Sequence, residues 1–264
     1  MKKITHKNHP ISFNDEGTGP AVVLLHGFME SLRIWDEFAT VLLKSFRVIR
    51  IDLPGHGETP VMDEVHPMSL MAEVVKTVLD ELEISKCVMV GHSMGGYVTL
   101  DFVKQYPELL SGICLFHSQA AADNEKAREN RRRTINIVKL NRAGFIHQFI
   151  PDLFAPSNIE KFKGEILTLQ KQAADTSAEG IIAALEGMKI RPGSLDFLIS
   201  TTLPVLFIAG KEDPRILLQT IMAQATLPAH SEILMLNGVG HMGFVEAKEE
   251  TLGMIEGFAK RMLD

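Results

Sequence analysis

The chain has 264 residues, 45% of them apolar and 23% charged, and a formal net charge of −6. That length suits one large α/β domain, or a domain carrying an insertion, with a sizeable core. The acidic balance leaves no strong basic face for nucleic acid. No apolar run approaches a membrane span, and the basic start Met1-Lys2-Lys3 has no apolar stretch behind it to serve as a secretory signal. A cytoplasmic protein, monomeric or homodimeric and without a nucleic-acid or membrane partner, is expected. Cys87 and Cys114 lie in or beside apolar strand-like runs. Both read as small buried hydrophobes, since a disulfide is poorly supported and a metal site lacks clustering.

In chain order, 3–7 and 10–13 read as a short antiparallel pair leading to the turn Asp15-Glu16-Gly17-Thr18-Gly19-Pro20. Ala21-Val22-Val23-Leu24-Leu25 is a continuous apolar run, the pattern of a strand buried on both faces, and it ends in His26-Gly27-Phe28. Ser31 is placed to cap the next helix, with Trp35, Phe38, Val41 and Leu42 on its buried side. A strand over 48–53 runs into Asp52-Leu53-Pro54-Gly55-His56-Gly57, a turn fixed by proline and glycine. Asp52 and His56 read as loop-structuring residues. Leu70, Val74, Val78 and Leu82 repeat with helical period over 69–82, and a strand over 86–90 follows.

The stretch Val88-Met89-Val90-Gly91-His92-Ser93-Met94-Gly95-Gly96-Tyr97-Val98 organises the rest. An apolar run ends in Gly-x-Ser-x-Gly and a helical pattern begins at once. A serine at the tip of so tight a turn sits in a strained backbone conformation. Gly91 and Gly95 keep side chains out of the space where strand end and helix start press together. The helix N-terminus offers free N–H groups and partial positive charge to an oxyanion. A glycine-rich turn with an incidental serine is the plainer reading of the bare pattern. The strand–turn–helix context makes it a nucleophile elbow. The helix stops before Pro107, and 113–116 is the next strand.

From 119 to 202 there is no convincing strand. Helical patterns occupy 123–142, 144–154, 158–174 and 178–188. Helix alone inside a strand–helix alternation reads as a lid, 119–202, inserted into a core of 1–118 and 203–264. Arg131-Arg132-Arg133 reads as a solvated helix face balanced by Glu125 and Glu129, the alternative being a site for an anion. The alternation resumes with a strand over 204–209, then Gly210-Lys211-Glu212-Asp213-Pro214 and a helix over 216–226. The last strand, 232–236, leads to Asn237-Gly238-Val239-Gly240-His241-Met242-Gly243-Phe244, and an amphipathic helix over 249–262 ends the pattern.

Open parallel sheets bind ligands outside the carboxyl ends of their strands. The loops leaving such ends carry His26-Gly27-Phe28, Ser93-Met94, Asp213 and His241. A neutral serine hydroxyl needs a base within hydrogen-bond reach, and the base needs an acceptor to fix its tautomer. His241, in a glycine-flanked loop that no helix or sheet role explains, is the candidate base, and Asp213 the candidate acceptor. Glu212 and Asp123 compete for the acid role. His26 and His92, beside glycines in tight turns, read as packing or orienting residues. His117, at the strand end that leads into the lid, is expected to line the pocket.

With these motifs in this order, the chain resembles the α/β-hydrolase superfamily, in particular the lidded serine hydrolases of the esterase, enol-lactonase and cofactor-free haloperoxidase type. The resemblance implies a mostly parallel eight-stranded sheet flanked by helices, with the helical lid after the sixth strand. It implies Ser93 as nucleophile, His241 as base, Asp213 as orienting acid, and the backbone N–H groups of Phe28 and Met94 as oxyanion hole. No metal or organic cofactor is implied, and the partner is a small ester-like substrate. Relatives that open epoxides or cleave carbon–halogen bonds place Asp at the elbow, where this chain has Ser93. Epoxide hydrolases also use lid tyrosines, but both tyrosines here, Tyr97 and Tyr106, lie in the elbow helix. Relatives that cleave carbon–carbon bonds usually carry Trp after the catalytic His, where this chain has Met242, its one tryptophan being Trp35. Lactonase, thioesterase or perhydrolase chemistry on the same triad, or a ligand receptor, are the alternatives to an ester hydrolase.

Overall fold

The apolar runs assemble into one eight-stranded sheet of order β1-β2-β4-β3-β5-β6-β7-β8 in the computed structural model, which describes residues 1–263. The strands are β1 (Lys2–His6), β2 (His9–Glu16), β3 (Ala21–Leu25), β4 (Arg47–Ile51), β5 (Cys87–His92), β6 (Leu110–Phe116), β7 (Val205–Gly210) and β8 (Ser231–Leu236). β1 pairs antiparallel with β2, and β2 antiparallel with β4; every other pairing is parallel. The central strands have helices on both sides. Accordingly β3, β5 and β7 are buried along their whole length. Each Val, Leu or Ile so buried contributes roughly 1.5–3 kcal/mol.

The chain leaves β3 toward β4 on one side and later returns to place β5 on the other. Such a reversal opens a crevice beyond the carboxyl ends of the strands. α1 (Asp36–Leu42) and α2 (Met68–Glu81) lead up to β5, and α3 (Met94–Gln105) leaves it. Ser31 does accept from an N–H at the first turn, that of Arg33, but the turn it caps is a 3₁₀ turn, Leu32–Trp35, ahead of α1.

Between β6 and β7 the described residues contain helices and no strand: α4 (Glu125–Phe149), α5 (Lys163–Ala174), α6 (Ala178–Ile190) and α7 (Leu195–Ser200). The pattern predicted a break before Gly144, but α4 continues through it with a kink at Asn141, φ −155° and ψ 78°. Asn141 recaps the second half, its Oδ1 accepting from the Gly144 N–H at 2.9 Å. A Cβ at Gly144 would lie 2.4 Å from the Asn141 amide nitrogen, so glycine is what lets the recapped turn close. α4 packs on α5 and α6. After β7 come α8 (Leu218–Ala225), the short α9 (Gly243–Glu246) and α10 (Lys248–Leu263).

Candidate active site

Ser93 sits between the end of β5 and the start of α3 with φ 49° and ψ −112°. A side chain held there costs of order 1–3 kcal/mol, which the surroundings must offset. Its N–H donates to the Phe116 carbonyl at 2.8 Å, and its carbonyl accepts from the Ser118 hydroxyl at 2.8 Å. A Cβ at Gly91 would lie 2.3 Å from the Gly95 carbonyl oxygen, and one at Gly95 would lie 2.5 Å from that of Leu25. The two glycines are therefore what allows α3 to start hard against β3 and β5.

His241, in the loop after β8, is held by its N–H donating to the Leu153 carbonyl at 2.7 Å. Its Nε2 lies 2.9 Å from Ser93 Oγ and its Nδ1 lies 2.8 Å from Asp213 Oδ2. Asp213 follows β7, and its other oxygen accepts from the N–H groups of Arg215 and Ile216 at 2.8 and 2.9 Å. Burial alone would raise the Asp213 pKa. Electrostatic attraction to the His241 ring and hydrogen bonds from His117 and His241 outweigh burial and hold the carboxyl well below its ordinary value. A carboxylate can only accept, so His241 carries its proton on Nδ1 and turns the Nε2 lone pair to the serine hydroxyl. Glu212 is exposed, and Asp123 is engaged by Arg131 and Arg191; neither competing acid bonds to His241.

Two participants were not legible from sequence. His117 does not line the pocket, contrary to expectation. It is fully buried, with φ 48°, and its Nδ1 donates to the same Asp213 Oδ2 at 3.0 Å. Burial, opposed by the Asp213 contact, lowers its pKa to about 4, so the ring is neutral. The second is Glu30. It is buried, accepts from the Gly27 N–H at 2.5 Å, and lies 2.9 Å from His92 Nδ1. His92 in turn donates from Nε2 to the His241 carbonyl at 3.0 Å. Burial disfavours both charges, but mutual attraction wins: the Glu30 pKa is lowered and that of His92 raised. One buried ion pair thus ties the loop after β3 to the loop that carries His241.

The backbone N–H groups of Phe28 and Met94 have no backbone acceptor among the described residues. Phe28 follows a loop that His26 fixes, its Nε2 accepting from the Leu53 N–H at 3.0 Å and its Nδ1 donating to the Gly27 carbonyl at 2.8 Å. His56, also buried, donates to the Pro54 carbonyl at 3.1 Å, the loop-structuring role expected of it. Asp52, paired with His56 in that expectation, accepts from the Leu32 and Glu58 N–H groups.

Ser93 and His241 open into a cavity of about 290 Å³. Phe28, Phe149, Leu153, Leu185 and Met188 give it apolar walls, and Arg131 and Arg215 add charge. The three-arginine run therefore divides. Arg132 and Arg133 form ion pairs with Glu125 and Glu129 as expected, whereas Arg131 turns inward to Asp123 and the cavity. The helix period separates them: Ala127, Asn130, Arg131 and Thr134 share the face of α4 that meets the cavity. Asp213 with His117 and His241 also has metal-like spacing, their donor atoms lying within 4.8 Å of one another. Both facing nitrogens are, however, spent on one carboxylate oxygen.

A sequence profile of the alpha/beta hydrolase fold matches residues 20–248. The structure is similar to that of a thermophilic esterase from Thermogutta terrifontis, solved with malate bound: 30% identity, TM-score 0.94, all of each chain covered. The chain belongs to the α/β-hydrolase fold family. Among curated proteins, this α/β hydrolase is similar to the pimeloyl-[acyl-carrier protein] methyl ester esterase of Aeromonas hydrophila, 27% identical over 94% of this chain and 98% of that one. It is also 27% identical, over 92% of its length, to the dihydrolipoyllysine-residue acetyltransferase component of the acetoin cleaving system of Pseudomonas putida, of which it spans 64%. Cys87 and Cys114 are free and buried, and burial pushes the Cys87 thiol up to about 12 and raises that of Cys114. Neither thiol supplies a thiolate at neutral pH. No described helix is long and apolar enough to cross a membrane.

Proposed function

We propose that the protein hydrolyses small carboxylic esters through an acyl-enzyme, with Ser93 as nucleophile, His241 as base and Asp213 as orienting acid. The observation that carries this is the continuous chain Ser93 Oγ–His241 Nε2, His241 Nδ1–Asp213 Oδ2 at 2.9 and 2.8 Å. Ser93 Oγ attacks the ester carbonyl while its proton passes to His241 Nε2. The oxyanion is received by the N–H groups of Phe28 and Met94, the latter also at the positive end of α3. The carbon–alkoxy bond breaks, and the leaving oxygen takes the proton from His241. A water then gives its proton to His241 and attacks the acyl carbon, releasing the acid and restoring Ser93. The helical segment 119–202 acts as the lid, supplying Phe149, Leu153, Leu185 and Met188 to the cavity. A volume of about 290 Å³ lies at the low end for ligand pockets, which favours short substrates. Two relatives named as esterases support the ester over other acyl substrates.

The test is hydrolysis of p-nitrophenyl butyrate by wild type and Ser93→Ala. Loss of about 10⁴-fold or more in kcat is expected, with an unchanged circular dichroism spectrum. A folded Ser93→Ala protein that turns over at the wild-type rate would sink the proposal.

A further inference from the structure

The cavity holds more positive charge than apolar ester chemistry uses. Arg131, on α4, contacts Asp123 through Nε and Nη2, and its Nη1 lies 3.3 Å from Met188 Sδ. Asp123 is shared with Arg191, whose Nη1 lies 2.5 Å from Oδ1, so two guanidiniums surround one carboxylate and the cluster carries one net positive charge. Arg191 also stacks on Tyr97, 3.8 Å from guanidinium to ring centre, and Tyr97 borders the same cavity. With five N–H donors on a guanidinium, Arg131 keeps donors beyond those contacts. Arg215, in the loop after β7, borders the same cavity. Its guanidinium rests 4.6 Å over the Phe149 ring, and no ion pair within 4.0 Å engages it among the described residues. Asp152 and Asp213 are near enough to act on its charge without pairing with it.

Asp152 tempers the charge on Arg215 without pairing with it, and the other acids near this space do not cancel it. Glu30 is neutralised by His92, and Asp213 is committed to His117 and His241. An unpaired guanidinium stacked on an aromatic wall, in the same cavity as a second one with spare donors, is a receptor for a planar anion.

We infer that Arg131 and Arg215 form a carboxylate-binding subsite, so that the preferred substrate is a half-ester of a short dicarboxylic acid, its free carboxylate held by the two arginines and its ester carbonyl presented to Ser93. The inference rests on the ester-hydrolase reading for the scissile bond. The anion subsite itself is testable apart from turnover. A neutral ester of the same length forgoes the charge-assisted hydrogen bonds, and the arginines lose hydration without compensation when it binds.

Monomethyl glutarate and methyl pentanoate differ by a carboxylate in place of a methyl group. Titration of released acid gives kcat/KM for each. In low salt, wild type should favour the half-ester by at least about tenfold, and Arg215→Gln should cut that ratio about tenfold, the size of one charge-assisted hydrogen bond. Arg131→Lys, which retains a cation for Asp123 but removes the fork, should cut it likewise. Arg133→Gln, the same charge change at a side chain 72% exposed, should leave the ratio unmoved. Equal kcat/KM for the two esters, or a ratio lowered as much by Arg133→Gln as by Arg215→Gln, overturns the inference. Calorimetry with glutarate alone separates the two claims. If neither ester is turned over, the ester reading fails. Glutarate binding to wild type and not to Arg215→Gln would still establish the subsite, and its failure to bind wild type would overturn it.

Discussion

Replacing Asp213 by Asn tests how the site sets the tautomer of His241. The carboxylate accepts four hydrogen bonds: two from the Arg215 and Ile216 N–H groups on Oδ1 and two from His117 and His241 on Oδ2. An amide can satisfy only one pair. If its oxygen stays with the backbone N–H groups, its NH₂ faces both imidazoles, and His241 must move its proton to Nε2, where it can no longer accept from Ser93. If the amide turns over, the buried Ile216 N–H and the part-buried Arg215 N–H face an NH₂, at up to about 1–3 kcal/mol for each unsatisfied donor. The first arrangement is the cheaper, and its kinetic consequence in a Ser-His-Asp site is a loss of about 10⁴-fold in kcat, or about 5 kcal/mol of barrier. Glu212→Gln, at an exposed neighbour, should stay within about tenfold. The assay is steady-state hydrolysis of p-nitrophenyl butyrate by the purified variants, with folding checked by thermal melts. Asp213→Asn within tenfold of wild type, or Glu212→Gln as the crippled protein, would refute the tautomer argument.

Acid should destabilise the fold through its buried neutral histidines. Burial lowers the pKa of His56 to about 3 and that of His117 to about 4, against 6.5 when exposed, so below pH 6.5 the unfolded chain takes up protons the folded one refuses. Urea midpoints should therefore fall steadily from pH 6.5 toward pH 4, and a midpoint unchanged between pH 7 and pH 5 would contradict this. Glu30→Gln should leave the buried His92 without its counter-charge and lower stability by about 3–5 kcal/mol, since breaking one partner of a buried pair strands the other. The same variant should slow ester turnover several-fold, because Glu30 also holds the Gly27 N–H beside the oxyanion loop. Chemical denaturation within 0.5 kcal/mol of wild type would show that the pair is not structural.

The sheet was legible because its inner strands are short apolar runs with turn signals at each end, as in Ala21-Val22-Val23-Leu24-Leu25. The elbow was legible because Gly91, Ser93 and Gly95 each answer a local steric demand. Asp213 and His241 could be picked out because sheet topology sends strand-end loops to one edge. What sequence did not reveal is set by long-range packing. His117 meets Asp213 across a separation of 96 residues, and Glu30 meets His92 across 62. Neither pairing leaves a local periodicity. Arg131 differs from Arg132 and Arg133 only by which side of α4 it occupies. Which side is buried depends on how that helix docks on α6 and over the strand ends.

The central claim is that Ser93 forms a covalent acyl intermediate. Its most direct test is reaction with a fluorophosphonate, followed by peptide mass spectrometry of wild type and of His241→Ala. The expected result is one adduct per chain, on Ser93, formed at least about 10³-fold more slowly when His241 is absent, since the serine hydroxyl then lacks its base. An adduct on another residue, or folded wild-type protein that remains unlabelled, would contradict the claim.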